Sequence, residues 1–180
     1  ELEAVTIIDL LRRAGIEVVT AGLQPGTVRG SRGTVLVPDA NLDDALDRDY
    51  DMVVLPGGQP GARNLEHDPR IASLLRRMAQ ENKYTAAICA APKVLAAAGL
   101  LDGKRATAYP GTIDPAHYPR VRLEQLAVVA DGKVVTSRGP GTAMDFALEL
   151  IELLAGAGAR AKVEDGLERP AHHRRDARRA

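Results

Sequence analysis

The stretch that decides the fold is Tyr84-Thr-Ala-Ala-Ile-Cys89-Ala-Ala-Pro92-Lys-Val-Leu-Ala-Ala-Ala-Gly99. An apolar run typical of a β-strand ends at Cys89, the single cysteine of the chain. Pro92 suits the first position of a helix, and Gly99 suits the position where a helix ends. The pattern therefore predicts a sharp strand-to-helix turn that carries the thiol, as in a nucleophile elbow. Because a helix N-terminus favours an anion, we expect a lowered pKa for the Cys89 thiol.

A buried cysteine that packs as a small apolar side chain also fits this stretch, and both interpretations stay open at this point. Two other predicted strand ends carry unusual residues, Pro56-Gly57-Gly58 and Ser137-Arg138-Gly139-Pro140-Gly141. Sites in open α/β sheets form at the carboxyl ends of strands, and glycine allows close backbone approach. The N–H groups of Gly58 and Ala90 could then converge as an oxyanion hole. For the glycine pair alone, a plain turn is the alternative.

Strand and helix patterns alternate along the rest of the chain and indicate an α/β domain with a mostly parallel sheet. Helical spacing covers residues 2–14, 42–46, 69–80 and 143–155. Asn41 is expected to cap the second of these helices, and Asp68 with Pro69 to begin the third. Strand-like runs cover residues 16–21, 51–55 and 105–108, and hairpins are predicted at 27–37 and 127–137. The sequence holds neither a G-x-x-x-x-G-K-[ST] nor a G-x-G-x-x-G run, so a nucleotide-binding fold is not supported.

The composition narrows the class of protein. A length of 180 residues suits one domain with a full core. A formal net charge of zero gives no overall attraction to nucleic acid or acidic membranes, and no apolar run approaches the ~20 residues of a membrane span. The single cysteine excludes an internal disulfide and fits a reducing, cytoplasmic location. The four histidines and the single cysteine show no zinc-ligand spacing, so we expect no metal site.

The end of the chain differs from the rest. We predict a single domain over residues 1–160 and a basic, partly disordered extension over residues 161–180, where apolar residues are few after Leu167. Such a short basic end supports a nucleic-acid contact only weakly, and we do not expect one. Among the histidines, only His117 follows a predicted strand, which makes it the one candidate for a catalytic partner; a structural role is the alternative.

Several separated motifs together resemble one known family. They are AAICAAP at 86–92, VLPGG at 54–58, TSRGPGT at 136–142 and ELEAV at 1–5, with RRAGI at 12–16, VPDA at 37–40 and GARNL at 61–65 in register. This pattern is similar to the DJ-1/PfpI superfamily, in the branch that includes the bacterial YajL-like proteins, over roughly residues 1–165. The resemblance implies a flavodoxin-like three-layer α/β sandwich, of the class I glutamine amidotransferase type, and a homodimer.

The resemblance also implies roles for individual residues. Cys89 corresponds to the family's reactive, easily oxidised cysteine, and Glu3 to the acid that hydrogen-bonds it. His117 corresponds to a histidine proposed to take part in catalysis. The remaining residues are expected to form the oxyanion hole or to bind near the cysteine, with one arginine reaching across the dimer interface: Gly57, Gly58, Ala90, Arg32 and Arg138.

The activity implied is cofactor-independent conversion of methylglyoxal or glyoxal to a 2-hydroxy acid, or deglycation of early adducts on proteins and nucleotides. Cys89 would form a hemithioacetal and Glu3 would transfer protons. The alternative is a redox-responsive chaperone or oxidative-stress sensor that uses oxidation of Cys89. A cysteine peptidase fits less well, because the PfpI peptidase branch has a histidine where this chain has Ala90.

One departure concerns the start of the chain. Members of the family begin with a central strand that leads to the glutamate, whereas this sequence opens at the glutamate turn itself, with Glu1 already in a helical pattern. Without that strand the sheet would contain unpaired backbone groups. We therefore expect the first strand to be missing and the sequence to be a fragment of a longer protein.

Overall fold

Helices and strands alternate in the computed structural model, which describes residues 1–170. The helices are α1 (Leu2–Arg13), α2 (Leu42–Leu46), α3 (Gln59–His67), α4 (Pro69–Gln80), α5 (Pro92–Ala97), α6 (Ala143–Ala155) and α7 (Ala157–Gly166). The strands are β1 (Ala21–Gly22), β2 (Val28–Arg29), β3 (Val35–Leu36), β4 (Ala40–Asn41), β5 (Met52–Leu55), β6 (Tyr84–Ile88), β7 (Arg105–Ala106), β8 (Arg122–Leu123), β9 (Val128–Asp131) and β10 (Val134–Ser137).

A four-stranded sheet with the order β5-β6-β10-β9 lies at the centre. β5 and β10 both run parallel to β6, and β9 pairs with β10 as an antiparallel hairpin. The register sets Leu55 beside Ala87 and Ser137 beside Ile88, so the carboxyl ends of three parallel strands meet at one edge. Cys89 follows directly at this edge. The mostly parallel sheet confirms the α/β class expected from the sequence.

Two hydrophobic clusters cover the two faces of this sheet. Successive residues of β6 divide between them: Ala86 and Ile88 belong to one cluster and Ala87 to the other, as the period of two in a strand requires. The first cluster is built from α1 and α6, and the second from α4 and α5. The result is three layers, helices on both sides of a buried sheet.

Short polar residues begin two of the helices as the sequence predicts. The side chain of Asn41 accepts a hydrogen bond from the N–H of Asp44 at 3.0 Å and caps α2. The side chain of Asp68 accepts from the N–H of Arg70 at 3.0 Å, with Pro69 as the first residue of α4. Each cap satisfies a backbone donor that a helix end otherwise leaves unpaired, which is typically worth ~1 kcal/mol.

Three elements differ from the sequence prediction. The strand expected at residues 16–21 is reduced to β1, which pairs with β4 and not with the central sheet. Within residues 1–170, no strand pairs with residues 16–20, so these form no ladder. The strand expected at 105–108 shortens to β7. Helix α3 was not predicted at all, because a proline and a glycine in its first turn resemble a loop.

Helix α7 crosses the domain boundary that the sequence placed at residue 160. It packs on α6 through Val163, and the buried Arg160 guanidinium bonds to Glu149 at 3.2 Å and Glu152 at 3.0 Å. Residues 161–166 of the predicted extension are therefore helical and attached to the domain. The extension from residue 171 onward lies outside the described residues.

Within residues 1–170, none of the helices combines the length and apolar character that a membrane span requires.

Candidate active site

Cys89 lies at a strained turn between β6 and α5. Its φ of 64° is in the left-handed region, which non-glycine residues rarely adopt. Hydrogen bonds to two neighbouring segments hold this conformation: the Cys89 N–H donates to the Ser137 carbonyl at 2.9 Å, and the Cys89 carbonyl accepts from the Tyr109 N–H at 2.8 Å. The residue is 9% exposed. The sharp strand-to-helix turn predicted from the sequence is present, and its strain is typical of functional sites.

Glu3 reaches the cysteine from the first turn of α1. The residue is only 7% exposed, and its Oε2 accepts a hydrogen bond from the Gly57 N–H at 2.8 Å. Its other oxygen, Oε1, is also buried and has no hydrogen-bond partner within residues 1–170. The Glu3 carboxyl as a whole interacts with the Cys89 thiol.

Gly57 lies against both the Glu3 carboxyl and Cys89, at a position with no room for a side chain. A Cβ atom at this position would lie 2.6 Å from the Cβ of Cys89 and 2.6 Å from Oε2 of Glu3. Atoms at that separation would overlap, so the close approach of the two functional side chains depends on glycine here. Gly57 is the second residue after β5, and its N–H donates to Glu3, so the end of β5 holds the acid at the site.

Two backbone donors point at the sulfur. The N–H of Gly58, which precedes α3 with a φ of 85°, and the N–H of Ala90 both favour the thiolate. Burial and the Glu3 carboxylate favour the neutral thiol more strongly and raise the pKa of Cys89 to about 11. The lowered pKa expected from the sequence is therefore wrong. The sequence around Cys89 shows the helix N-terminus, which lowers a thiol pKa. It does not show the burial of the thiol or the nearby Glu3, which comes from a distant part of the chain.

His117 lies apart from this buried cluster. Its side chain is exposed, and Nδ1 is 2.9 Å from Oδ2 of Asp114, three residues earlier. Within residues 1–170, no hydrogen bond or ion pair joins His117 to Cys89 or Glu3. Its catalytic role stays a prediction.

The two arginines are likewise separate from the thiol in the described chain. Arg32 is exposed in the turn between β2 and β3, where its backbone N–H donates to Glu1 at 2.5 Å. Arg138 is half-buried after β10, and its backbone N–H donates to the Ala127 carbonyl at 3.1 Å. Neither guanidinium pairs with Cys89 or Glu3 within residues 1–170.

Sequence reasoning missed a polar cleft beside the thiol. The cleft has a volume of about 110 Å³ and lies between α3 and α5. The side chains that give it its character are Arg63, Glu66, His67 and Lys93, with Ala90 in its wall. Positions 59, 62, 63 and 66 share one face of a helix, so recognising α3 would have grouped them. Within the described residues, no group of three or more His, Cys, Asp or Glu side chains is placed to hold a metal ion.

Comparison with known proteins gives consistent similarities. The family model described as "DJ-1/PfpI family" matches residues 1–153. The chain is 41% identical over 170 residues to the "Parkinson disease protein 7 homolog" of Danio rerio, covering 91% of this chain and 88% of that protein. It is 35% identical over 156 residues to the "Glutathione-independent glyoxalase DJR-1.2" of Caenorhabditis elegans, covering 87% and 83%.

Two solved structures have the same fold. The crystal structure of Drosophila melanogaster DJ-1beta superposes with a TM-score of 0.87 at 40% identity, covering 92% of this chain and 90% of that one. Oxidised DJ-1 of Toxoplasma gondii superposes with a TM-score of 0.85 at 37% identity, covering the same shares, 92% and 90%. Glu3, Gly57 and Cys89 all lie inside the range that the family model matches.

Proposed function

The chain belongs to the DJ-1/PfpI family, and on that premise we propose that it is a cysteine enzyme converting α-oxoaldehydes to 2-hydroxy acids without a cofactor. The observation that carries this proposal is the buried contact of the Glu3 carboxyl with the Cys89 thiol. The name of the C. elegans relative, a glutathione-independent glyoxalase, supports methylglyoxal and glyoxal as the substrate class. Deglycation of early adducts on proteins or nucleotides would use the same attack on a carbonyl carbon.

In the first step the thiol adds to the aldehyde carbon of the substrate. A thiol with a pKa of about 11 is almost entirely protonated at neutral pH, so it needs a base in direct contact. Glu3 takes the proton as the carbon–sulfur bond forms. The N–H groups of Gly58 and Ala90 donate to the developing alkoxide. Glu3 then returns the proton to that oxygen, which gives a hemithioacetal and a free carboxylate.

The rearrangement requires a second proton transfer. Glu3 removes the proton from the former aldehyde carbon, and the electron pair moves to the neighbouring carbonyl to form an enediol. Glu3 gives this proton to the oxygen of that carbonyl and then moves the hydroxyl proton of the former aldehyde carbon to the adjacent carbon, which yields a thioester of the 2-hydroxy acid on Cys89. Water hydrolyses this thioester and restores the thiol. The sum is one substrate plus one water giving one 2-hydroxy acid, so no electrons enter or leave.

A homodimer is part of the proposal. Leu2 and Val5 on α1 are 58% and 46% exposed, which gives an apolar surface on the helix that carries Glu3. Large exposed apolar side chains are typical of contact surfaces. In such a dimer, the exposed Arg32 of one chain is the candidate to lie near Cys89 of the other, and His117 is the candidate for an assisting base.

The experiment that tests the enzyme is lactate formation from methylglyoxal. The wild-type chain should release lactate in large molar excess over protein, and Cys89→Ser should fall to background because a serine hydroxyl is far less acidic. Glu17→Gln, an exposed acid outside the site, is the control and should keep full turnover. Full activity in Cys89→Ser would overturn the proposal.

A redox-sensing or chaperone function is the second candidate. Peroxide would oxidise the thiol first to the sulfenic and then to the sulfinic acid, with one water released at each step. The solved T. gondii relative is an oxidised DJ-1, which supports oxidation as a reaction of this family. The raised pKa of Cys89 counts against fast oxidation, because the thiolate is the reactive species. Peroxide-dependent binding of unfolded client protein, without lactate formation, would favour this candidate.

A further inference from the structure

The cleft between α3 and α5 lies next to the turn that carries Cys89. Ala90 forms part of its wall, and the N–H of Ala90 points at Cys89. The volume of about 110 Å³ is larger than the space one water molecule needs, so the cleft admits a small polar group. A substrate held at the thiol can therefore extend into this cleft.

One positive charge in the cleft is uncompensated. Lys93 is paired, with its Nζ 3.1 Å from Oε2 of Glu66, so these two charges offset each other. The Arg63 guanidinium makes no hydrogen bond or ion pair within residues 1–170. Arg63 is thus the charge that an incoming anion meets, and a guanidinium binds carboxylate or phosphate through two parallel hydrogen bonds.

The backbone of α3 also orders a second polar side chain in the cleft. Nδ1 of His67 lies 2.8 Å from the carbonyl oxygen of Arg63. Because that partner can only accept, Nδ1 is the donor in this hydrogen bond, and Nε2 is the ring nitrogen left for other contacts.

From these contacts we infer that the α3–α5 cleft is an anion subsite, in which Arg63 selects α-oxoaldehydes that carry a carboxylate or phosphate. The inference rests on the proposed function and deepens it by naming the substrate class. The aldehyde carbon bonds to Cys89 and the rest of the molecule extends toward Arg63. A suitable probe is 4,5-dioxopentanoate, which the same isomerisation with one water converts to 2-hydroxyglutarate.

The first test compares 4,5-dioxopentanoate with its uncharged methyl ester. Arg63→Gln keeps a long side chain with good helix propensity but removes the charge. We expect kcat/KM for the carboxylate to fall about tenfold, mainly through KM, while the value for the ester changes less than twofold; a charge-assisted pair on a partly exposed surface supports no more than this. Arg76→Gln, an exposed arginine on α4, is the matched control and should change neither. Equal losses on both substrates would overturn the inference.

The second test does not depend on turnover. Cys89 is alkylated by iodoacetate, an anion, and by iodoacetamide, which is neutral and of similar shape. Arg63→Gln should slow the reaction with iodoacetate several-fold and leave the reaction with iodoacetamide unchanged. If methylglyoxal is not converted but this selectivity is observed, the enzyme proposal fails and the anion subsite stands. The opposite result is conversion of methylglyoxal together with an Arg63→Gln variant that discriminates neither the carboxylate from its ester nor iodoacetate from iodoacetamide. In that case the subsite is refuted and the enzyme proposal stands.

Discussion

The candidate site has two halves that differ in how they are held. The buried half consists of Glu3, Gly57 and Cys89, which a helix, a strand end and a strand-to-helix turn bring into contact. The outer half consists of His117, Arg32 and Arg138, whose side chains form no hydrogen bond or ion pair with that cluster within residues 1–170. The buried half is complete in one chain. A role for the outer half stays a prediction, and it would require a substrate, a second chain or a loop movement to bring these side chains to the thiol.

The comparison predicts that the largest effect comes from the buried acid. Glu3→Gln should reduce lactate formation by about 10²–10⁴-fold, the usual contribution of general acid–base catalysis. Turnover of methylglyoxal with the fold checked by circular dichroism is the measurement. The double variant with Cys89→Ser should lose little more than the worse single variant, since the two residues act as one unit. Additive losses of turnover in the double variant would show that Glu3 and Cys89 act independently.

The next effect concerns the space between acid and cysteine. Gly57→Ala introduces a methyl group where Glu3 and Cys89 each lie 2.6 Å away, so the carboxyl must move. We expect a loss of about 10²-fold in turnover, the size that a displacement of ~1 Å can cause. Thermal unfolding should also show a destabilisation of about 1–3 kcal/mol. Gly61→Ala is the matched control, because a Cβ there meets open space; normal activity in Gly57→Ala would contradict the geometry.

A pH profile tests the electrostatics of the buried half. The thiol pKa is raised to about 11, so the thiolate fraction, and with it the alkylation rate by iodoacetamide, should rise about tenfold per pH unit between pH 8 and 10. Glu3→Gln removes the carboxylate charge and should move the midpoint to lower pH. A wild-type plateau below pH 9 would show that the two N–H donors outweigh burial and Glu3.

The smallest effect is expected in the outer half. His117→Ala should lower kcat/KM for methylglyoxal less than tenfold, because the exposed imidazole contacts Asp114 and not the thiol. Asp114→Asn serves as its companion and should have the same small effect if Asp114 orients the ring. A loss comparable to that of Glu3→Gln would mean that the loop closes over the site and would remove the distinction between the two halves.

Whether Arg32 can act near a thiol depends on formation of a dimer. Light scattering at micromolar concentration should report twice the monomer mass if α1 provides a contact surface. Leu2→Glu, on the exposed side of α1, should shift the equilibrium toward monomer. A monomeric wild-type chain would remove the reason for placing Arg32 near a partner's cysteine.

The features of the fold that could be predicted are those encoded by short stretches of sequence. The caps at Asn41 and Asp68 and the turn at Cys89 each depend on a few consecutive residues, and the structure confirms all three. The hairpin after Asp131 is also present, with Asp131 paired to Val134. Such features are encoded within one turn or one strand, where residue type and spacing suffice.

The features that depend on distant segments were not predictable in the same way. The strand at 16–21 depends on a neighbour to pair with, and in the part of the chain that the structure describes only its last residue, Ala21, finds one. The pKa of Cys89 depends on burial of the thiol and on an acid from the first helix, which together reverse the expected shift. Proline and glycine at the start of α3 concealed a helix whose N-cap is Gly58, and with it the cleft that Arg63 lines.

The crowding around Gly57 has a consequence for how this protein can evolve. A position that accepts no side chain cannot be used to adjust reactivity, so the chemistry at the strand ends is fixed once it has arisen. The cleft side chains of Arg63 on α3 and Lys93 on α5 reach solvent, so exchange at these two positions should cost little folding stability. Divergence among descendants should therefore retain one reaction and change its preferred molecule, with the variable positions concentrated on those two helices.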